Sequence, residues 1–235
     1  MGEKIWFLKN CALFEQLEAD QLAELESHCL SRKFSRNSPI YPATDHADAV
    51  LLLASGRVAI CNITHDGRKA ILAFVEPGEL FGELALFAPR DDDEYAEAVE
   101  ASTIVLIPRQ EMNRLMEQHA EVAFGITKLM GLRRQRIERR LKYLLFRSNR
   151  ERLIHLLLEL AEQYGKQVPE GVLLGIKLSH QELASIIGST RETVTVVLGE
   201  LQDEGKLQLG RRRIVLIRPQ ALADSVHRPL SLAGA

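Results

Sequence analysis

Two groups of residues in this chain have the types and spacing to do chemistry on anionic or nucleic-acid ligands. The first is Arg191-Glu192, with Thr190, Thr193 and Thr195 around it. An arginine can grip guanine O6 and N7 through two parallel hydrogen bonds, and a glutamate can accept from cytosine N4, so the pair can read a base-pair step. Thr190 and Thr193 suit phosphate oxygens, and Arg211-Arg212-Arg213 downstream can reach backbone phosphates, supplying affinity without sequence information. The second group is Phe81-Gly82-Glu83-Leu84-Ala85-Leu86. Its glycine lets a backbone approach a ligand closely, and the apolar run after it can open a helix whose free N–H groups favour an anion. Asp91-Asp92-Asp93-Glu94 then follows, and those carboxylates would repel the anion the first half suits.

Other chemistries find little support. HExxH, GxSxG, P-loop and dinucleotide glycine patterns are absent from the sequence, and no His/Cys/Asp grouping has catalytic spacing, which argues against an enzyme. Cys11, Cys29 and Cys61 are odd in number, widely spaced and fit no CxxC pattern, so reduced structural thiols are expected. Four successive carboxylates at 91–94 do not converge on one ion without a special loop shape, and Ca²⁺ needs six or more oxygens; a solvated acidic loop is the stronger reading. Hydrophobic residues make up 46% of the 235 and charged residues 26%, ordinary for a soluble globular protein. No apolar run approaches the roughly 18 residues of a membrane span, and Met1 to Asn10 lacks a signal-type segment, so a cytoplasmic protein without membrane contact is expected.

The net charge of −2 hides a segregation. Residues 1–108 carry 9 Lys/Arg against 18 Asp/Glu, whereas residues 109–149 carry 10 against 4. Phosphate-binding surfaces are local patches, and an acidic partner domain masks them in the total.

The elements that must position these residues change character at Pro108. Before it, AVLLLASG, RVAICNI, KAILAFV, EYAEAVE and TIVLIP read as short strands, with Ser55-Gly56 and Asp66-Gly67 as hairpin turns. Apolar Leu22, Leu25 and Leu30 predict a short helix over Glu18 to Leu30 that covers the sheet. The expected fold is α+β: an N-terminal sandwich or jelly roll, a long helix and a C-terminal helical domain. From Arg109 to Phe146 the spacing predicts one long helix. Its apolar stripe includes Ile126, Leu129, Met130, Ile137, Leu141 and Leu144, and the helix is longer than one small domain can cover, so a parallel two-stranded dimer is expected. The expected divisions are 1–108, 109–147 and 148–235.

LSHQELASIIGSTRETVTVVLGELQDEGKL, residues 178–207, reads as a helix from Ser179, a turn at Gly188-Ser189 and a second helix from Thr190 to about Asp203. Ser179 and Glu182 form a capping box. Leu183, Ala184, Ile187, Val194, Val197, Leu198 and Leu201 supply the shared apolar seam. This is a helix-turn-helix, whose second helix enters the DNA major groove, and Lys206 to Leu216 reads as a two-stranded wing.

The acidic roll with its GELAL cassette, the long helix and the winged helix bearing GSTRETVT together resemble the CRP/FNR superfamily of bacterial transcription regulators across residues 10–220. The resemblance implies an effector-binding jelly roll, a dimerisation helix, a DNA-reading domain and RNA polymerase as a partner. It places Gln181, Thr190, Arg191, Glu192 and Thr193 on DNA-contacting positions and His180 on a frequent phosphate contact. Arg191 and Glu192 match the pair expected to read a TGTGA-like half-site in double-stranded DNA. Val196 stands where relatives often carry a second base-reading arginine, so the target should differ or be relaxed at that base pair.

In cAMP-binding members a glycine-glutamate pair after a phenylalanine binds the ribose, and an Arg-Ser pair about ten residues later binds the cyclic phosphate. Phe81, Gly82, Glu83 and Leu84 fit the first element, while residues within Asp92, Asp93 and Glu94 take the place of the second. Ile137 and Glu138 lie near the place of a Thr-Ser pair that receives the base. Losing a charge-assisted contact worth about 2–3 kcal/mol and adding repulsion should lower affinity by about two orders of magnitude or more. The resemblance therefore implies a surviving roll that takes no cAMP and no other cofactor. Three uses of the pocket stay open: a ligand-free scaffold, a cationic or neutral effector, or a metal at Asp91 to Glu94. Haem or iron-sulfur sensing finds no support, because Cys11 and Cys29 do not reproduce the clustered cysteines of iron-sulfur members. The alternative function is a signalling protein regulated by a cyclic nucleotide or other small effector.

Overall fold

The computed structural model describes residues 3–41, 49–63, 69–87, 94–211 and 213–231. The chain divides into two compact units, residues 1–135 and 136–235.

The first unit opens with helix α1 (Glu3–Lys9), a 3₁₀ turn at Ala12–Phe14 and helix α2 (Ala19–His28). The strands are β1 (Leu30–Phe34), β2 (Pro39–Tyr41), β3 (Ala49–Ser55), β4 (Val58–Ile63), β5 (Lys69–Val75), β6 (Leu80–Phe81), β7 (Glu94–Ala98) and β8 (Ser102–Pro108). They form two antiparallel four-stranded sheets, ordered β1-β8-β3-β6 and β2-β7-β4-β5. Strands β3 and β8 are apolar along their central residues, Val50–Ala54 and Ile104–Ile107, because both faces are buried there. Successive side chains point to opposite faces, so Val50, Leu52, Val105 and Ile107 pack with Leu22, Leu25, Met112, Leu115 and Val122. Leu51, Leu53, Ile104 and Leu106 pack instead with Val58, Ile60, Val75 and Phe81.

Several expectations need correction here. Ser55-Gly56 is not a hairpin turn: β3 pairs with β8 and β6, β4 pairs with β5 and β7, and the link passes from one sheet to the other. A tight turn identifies a reversal of the chain, not the sheet that the next strand joins. The β4–β5 pairing is antiparallel as expected, but the Asp66-Gly67 turn lies outside the described residues. Leu30 does not extend α2; it opens β1 opposite Leu106 and is 61% exposed. Helix α1 and the 3₁₀ turn were not read from the sequence, because three to seven residues are too few to display a helical period. Yet Ile5, Leu8 and Phe14 are buried in the core beneath α2 and β3.

The helix expected over Arg109 to Phe146 is two helices, α3 (Arg109–Gln118) and α4 (Ala120–Phe146). His119 between them is extended, at φ −129° and ψ 99°, and accepts at its carbonyl from the N–H groups of Val122 and Ala123. Its ring meets the Gln21 side chain of α2 at 3.2 Å. With the axis broken there, Met112 and Leu115 before it and Val122 and Ile126 after it all reach one core.

The second unit contains the last turns of α4, then α5 (Asn149–Tyr164), β9 (Gly165–Val168), β10 (Gly171–Leu174), α6 (His180–Ile187), α7 (Arg191–Asp203), β11 (Leu207–Gly210), β12 (Arg213–Leu216) and α8 (Pro219–Ser225). Helix α5 buries eight residues, from Leu153 to Ala161. The two strands expected as a wing form half of a four-stranded antiparallel sheet, ordered β11-β12-β10-β9.

Candidate nucleic-acid interface and roll pocket

Helix α6 begins on Ser179, whose hydroxyl accepts from the Glu182 N–H at 3.2 Å while the Glu182 carboxylate accepts from the Ser179 N–H at 2.6 Å. It ends at Gly188, which is left-handed at φ 64°, and the N–H of Ser189 donates to the Ala184 carbonyl. A β-carbon at Gly188 would be strained by that φ and would approach Leu144 to 3.0 Å. Thr190 then caps α7, its hydroxyl accepting from the Thr193 N–H at 3.2 Å. Leu183, Ala184, Ile187, Val194, Val197, Leu198 and Leu201 are all buried, so the seam read from the sequence is the packed interface of the two helices.

That packing turns Gln181, Arg191, Glu192, Thr195 and Val196 outward, with Thr190 exposed at the start of α7 and Thr193 partly covered. Ser179, His180, Gln181 and Arg191 line one open concavity. His180 and Thr195 are bound to each other: Nδ1 lies 2.8 Å from the Thr195 Oγ1, and that hydroxyl also donates to the Arg191 carbonyl. Thr195 is thus held as a brace for His180 and for the first turn of α7. At the wing, Gly210 and Arg213 face each other across β11 and β12, and Leu209 N–H donates to the Gln202 side chain at 2.9 Å, tying the wing to α7. Arg211 and Arg213 are exposed; Arg212 lies outside the described residues.

In the roll, β6 places Phe81 fully inside, and Gly82 takes a left-handed φ of 72° that starts the 3₁₀ turn Glu83–Leu86. The turn carries Glu83 inward, to 4% exposure, and leaves Leu84 48% exposed. The Glu83 carboxylate is paired with the Arg133 guanidinium from α4, which also donates to the Leu80 carbonyl. Sequence reasoning missed Arg133, because it sits in a run of basic residues that reads as a solvated stripe. An arginine from outside the loop thus reaches the glycine-glutamate element, and its charge is met by Glu83. Glu94 opens β7 opposite Asn62, whereas Asp92 and Asp93 lie outside the described residues.

The apolar stripe of α4 splits in two. Ile126 is fully buried in the core of its own unit, and Leu129 and Met130 pack against that core, so Ile126 offers no surface to a second copy. Ile137, Leu141 and Leu144 are 55%, 53% and 41% exposed, spaced four and three residues apart on one face. Cys11, Cys29 and Cys61 are unpaired and buried, and burial pushes their thiols up to about 11, 12 and 11. Among the described residues no helix is long and apolar enough to cross a membrane.

This geometry defines a DNA-binding regulator that joins an effector-type roll to a winged helix-turn-helix. Residues 31–119 match the cyclic nucleotide-binding domain family and residues 151–225 the Crp-like helix-turn-helix domain family. The chain is 30% identical over 194 residues to the global nitrogen regulator of Synechococcus elongatus, covering 82% of this chain and 87% of that protein. It is 30% identical over 219 residues to the cyclic AMP receptor protein of Thermus thermophilus, covering 93% and 98%. A solved CRP-family transcriptional regulator of Thermus thermophilus matches it with a TM-score of 0.72 at 27% identity, over 86% of this chain and 100% of that one. The chain belongs to the CRP/FNR family of transcriptional regulators, and its relatives are regulators, not enzymes.

Proposed function

We propose that the protein works as a homodimer on a near-palindromic site with TGTGA-like half-sites, without requiring cAMP. The observation that carries this reading is the outward face of α7. It presents Arg191 and Glu192 at its start, on the side away from the seam with α6. In this reading residues 1–108 form the sensing module, 109–147 the dimerisation segment and 148–235 the DNA reader, with RNA polymerase as the downstream partner in the cytoplasm. The exposed trio Ile137, Leu141 and Leu144 supports the dimer, because a four-three spacing is the seam of a two-stranded coil. The Glu83–Arg133 pair supports cAMP independence, because the carboxylate that would hold a ribose already has an ion-pair partner within the chain.

The test is selection of a site from random duplexes, followed by titration with and without cAMP. Binding to paired half-sites about one helical turn apart is expected, with loss of tight binding when five base pairs are inserted. Sedimentation should give twice 26.4 kDa. A monomer at micromolar concentration, indifference to half-site spacing, or a tenfold rise in affinity with cAMP would each overturn the corresponding part. A second reading, in which the roll answers to another small effector, draws on the same ion pair. A ligand that competes for Glu83 or Arg133 would have a differential interaction with two states of the roll, which is what a switch requires.

A further inference from the structure

On α7 the buried side chains Val194, Val197, Leu198 and Leu201 define one face. At about 100° per residue, the opposite direction is occupied by Glu192, Thr195, Val196 and Gly199. Val196 is the one apolar side chain of the four that extends outward, and it is 60% exposed. Folding gives no reason for it. A β-branched residue is a weaker helix former than alanine, and this one leaves most of its surface in water. Gly199, one turn further on, is equally unexplained by folding. Glycine is the poorest helix former after proline, and a β-carbon built there meets nothing within 4 Å. Two residues unfavourable for an isolated surface helix thus stand side by side on the edge that would go deepest into a groove.

We infer that Val196 is a specificity determinant that packs against the 5-methyl group of a thymine, with Gly199 leaving the backbone room to bring it there. The inference rests on the reading of α7 as the groove-entering helix. Thymine is the base that presents a methyl group in the major groove; the other three offer hydrogen-bonding atoms without one. Valine cannot pair with a donor or acceptor. Over a methyl it removes apolar surface from water, and over a polar edge it strips water without replacing its hydrogen bonds. Its neighbours leave that contact to it: the Thr195 hydroxyl is engaged with Arg191 and His180, and Glu192 is suited to a cytosine amine. Val196 lies one turn along the same face from Glu192, so the thymine belongs to a neighbouring base pair.

The experiment uses the full chain and the duplex site it selects from a random pool. Each thymine is replaced in turn by uracil, which removes the methyl group and nothing else, symmetrically in both half-sites. Wild type and Val196→Ala are titrated by fluorescence anisotropy at one salt concentration, with melting curves to confirm that both are folded. At one thymine per half-site, uracil should weaken wild-type binding by about threefold to fivefold per half-site, the scale of one buried methyl group. The same replacement should leave Val196→Ala nearly unchanged. No methyl-sensitive thymine, or the same penalty in both proteins, overturns the inference. If wild type does not prefer its selected site to a scrambled duplex, the DNA-reading assignment itself falls. A preference that needs Arg191 but ignores every methyl sinks the valine contact alone.

Discussion

The start of α7 and the cradle of the roll are both built from a left-handed glycine, a short helical turn and a glutamate, yet they treat their charges in opposite ways. Gly188 reverses the chain so that Arg191 and Glu192 point into solvent. Gly82 reverses it so that Glu83 points into the roll, at 4% exposure, against Arg133. An exposed charge contributes almost nothing to folding and is ready to pair with an outside partner. A buried charge must be met from within, and removing its partner leaves an ion in low dielectric. The first region therefore leaves its charges open to an outside partner, and the second meets its charge from within the chain.

The largest expected effect tests that contrast at the roll. Arg133→Ala should destabilise the protein by about 3–5 kcal/mol, read from denaturant unfolding, because the buried Glu83 loses its counter-charge. Replacing both partners with apolar residues of similar size should restore most of the loss. Glu192→Ala should leave unfolding unchanged, and an equal cost for Glu192 and Arg133 would erase the distinction between the regions.

A second buried group sharpens the point. His155 is 4% exposed, stacks on Tyr143 at 4.3 Å between ring centroids, and has no hydrogen-bond partner at either ring nitrogen among the described residues. Burial, reinforced by Arg228 and Arg147 and opposed by Glu151, lowers its pKa from 6.5 to about 4. It is kept neutral. The unfolded chain takes up a proton that the folded chain refuses, so stability should fall as pH drops from about 6.5 toward 4. The loss should reach roughly 3 kcal/mol, and His155→Phe should flatten that part of the pH profile. An unchanged profile would show that another group sets the acid limb.

At the DNA-reading face the effects should appear in binding and not in folding. Arg191→Ala should cost about 1–3 kcal/mol of affinity and relax the preference at one guanine. Arg213→Ala should weaken all duplexes alike and reduce the salt slope by about one charge, which affinity measured over a salt series will reveal. Equal loss of sequence preference in both would mean that the roles of helix and wing are assigned wrongly. The smallest effect belongs to Gly199→Ala, which should stabilise the fold by about 0.5–1 kcal/mol in thermal melting, since nothing lies within reach of the added β-carbon.

The helix-turn-helix was legible residue by residue because everything that defines it is local. Ser179 and Glu182 cap within one turn, Gly188 takes its φ for want of a β-carbon, and the seam from Leu183 to Leu201 repeats at the helical period. Strands β3 and β8 were visible as apolar runs for the same reason. Local signals end where chain-distant partners begin. Whether Ser55-Gly56 closed a hairpin or crossed between sheets depended on β8, about fifty residues away. Whether Ile126 faced a second copy or its own core depended on where His119 broke the axis. Arg133 and Glu83 are fifty residues apart, and neither residue type nor spacing distinguishes this arginine from its basic neighbours on α4. Composition and periodicity thus determined the apolar strands β3 and β8 and the two helices of the helix-turn-helix, with their caps and seam. Tertiary structure decided which charges are left for a ligand, because burial and pairing are set by contacts between parts of the chain that the local pattern does not connect.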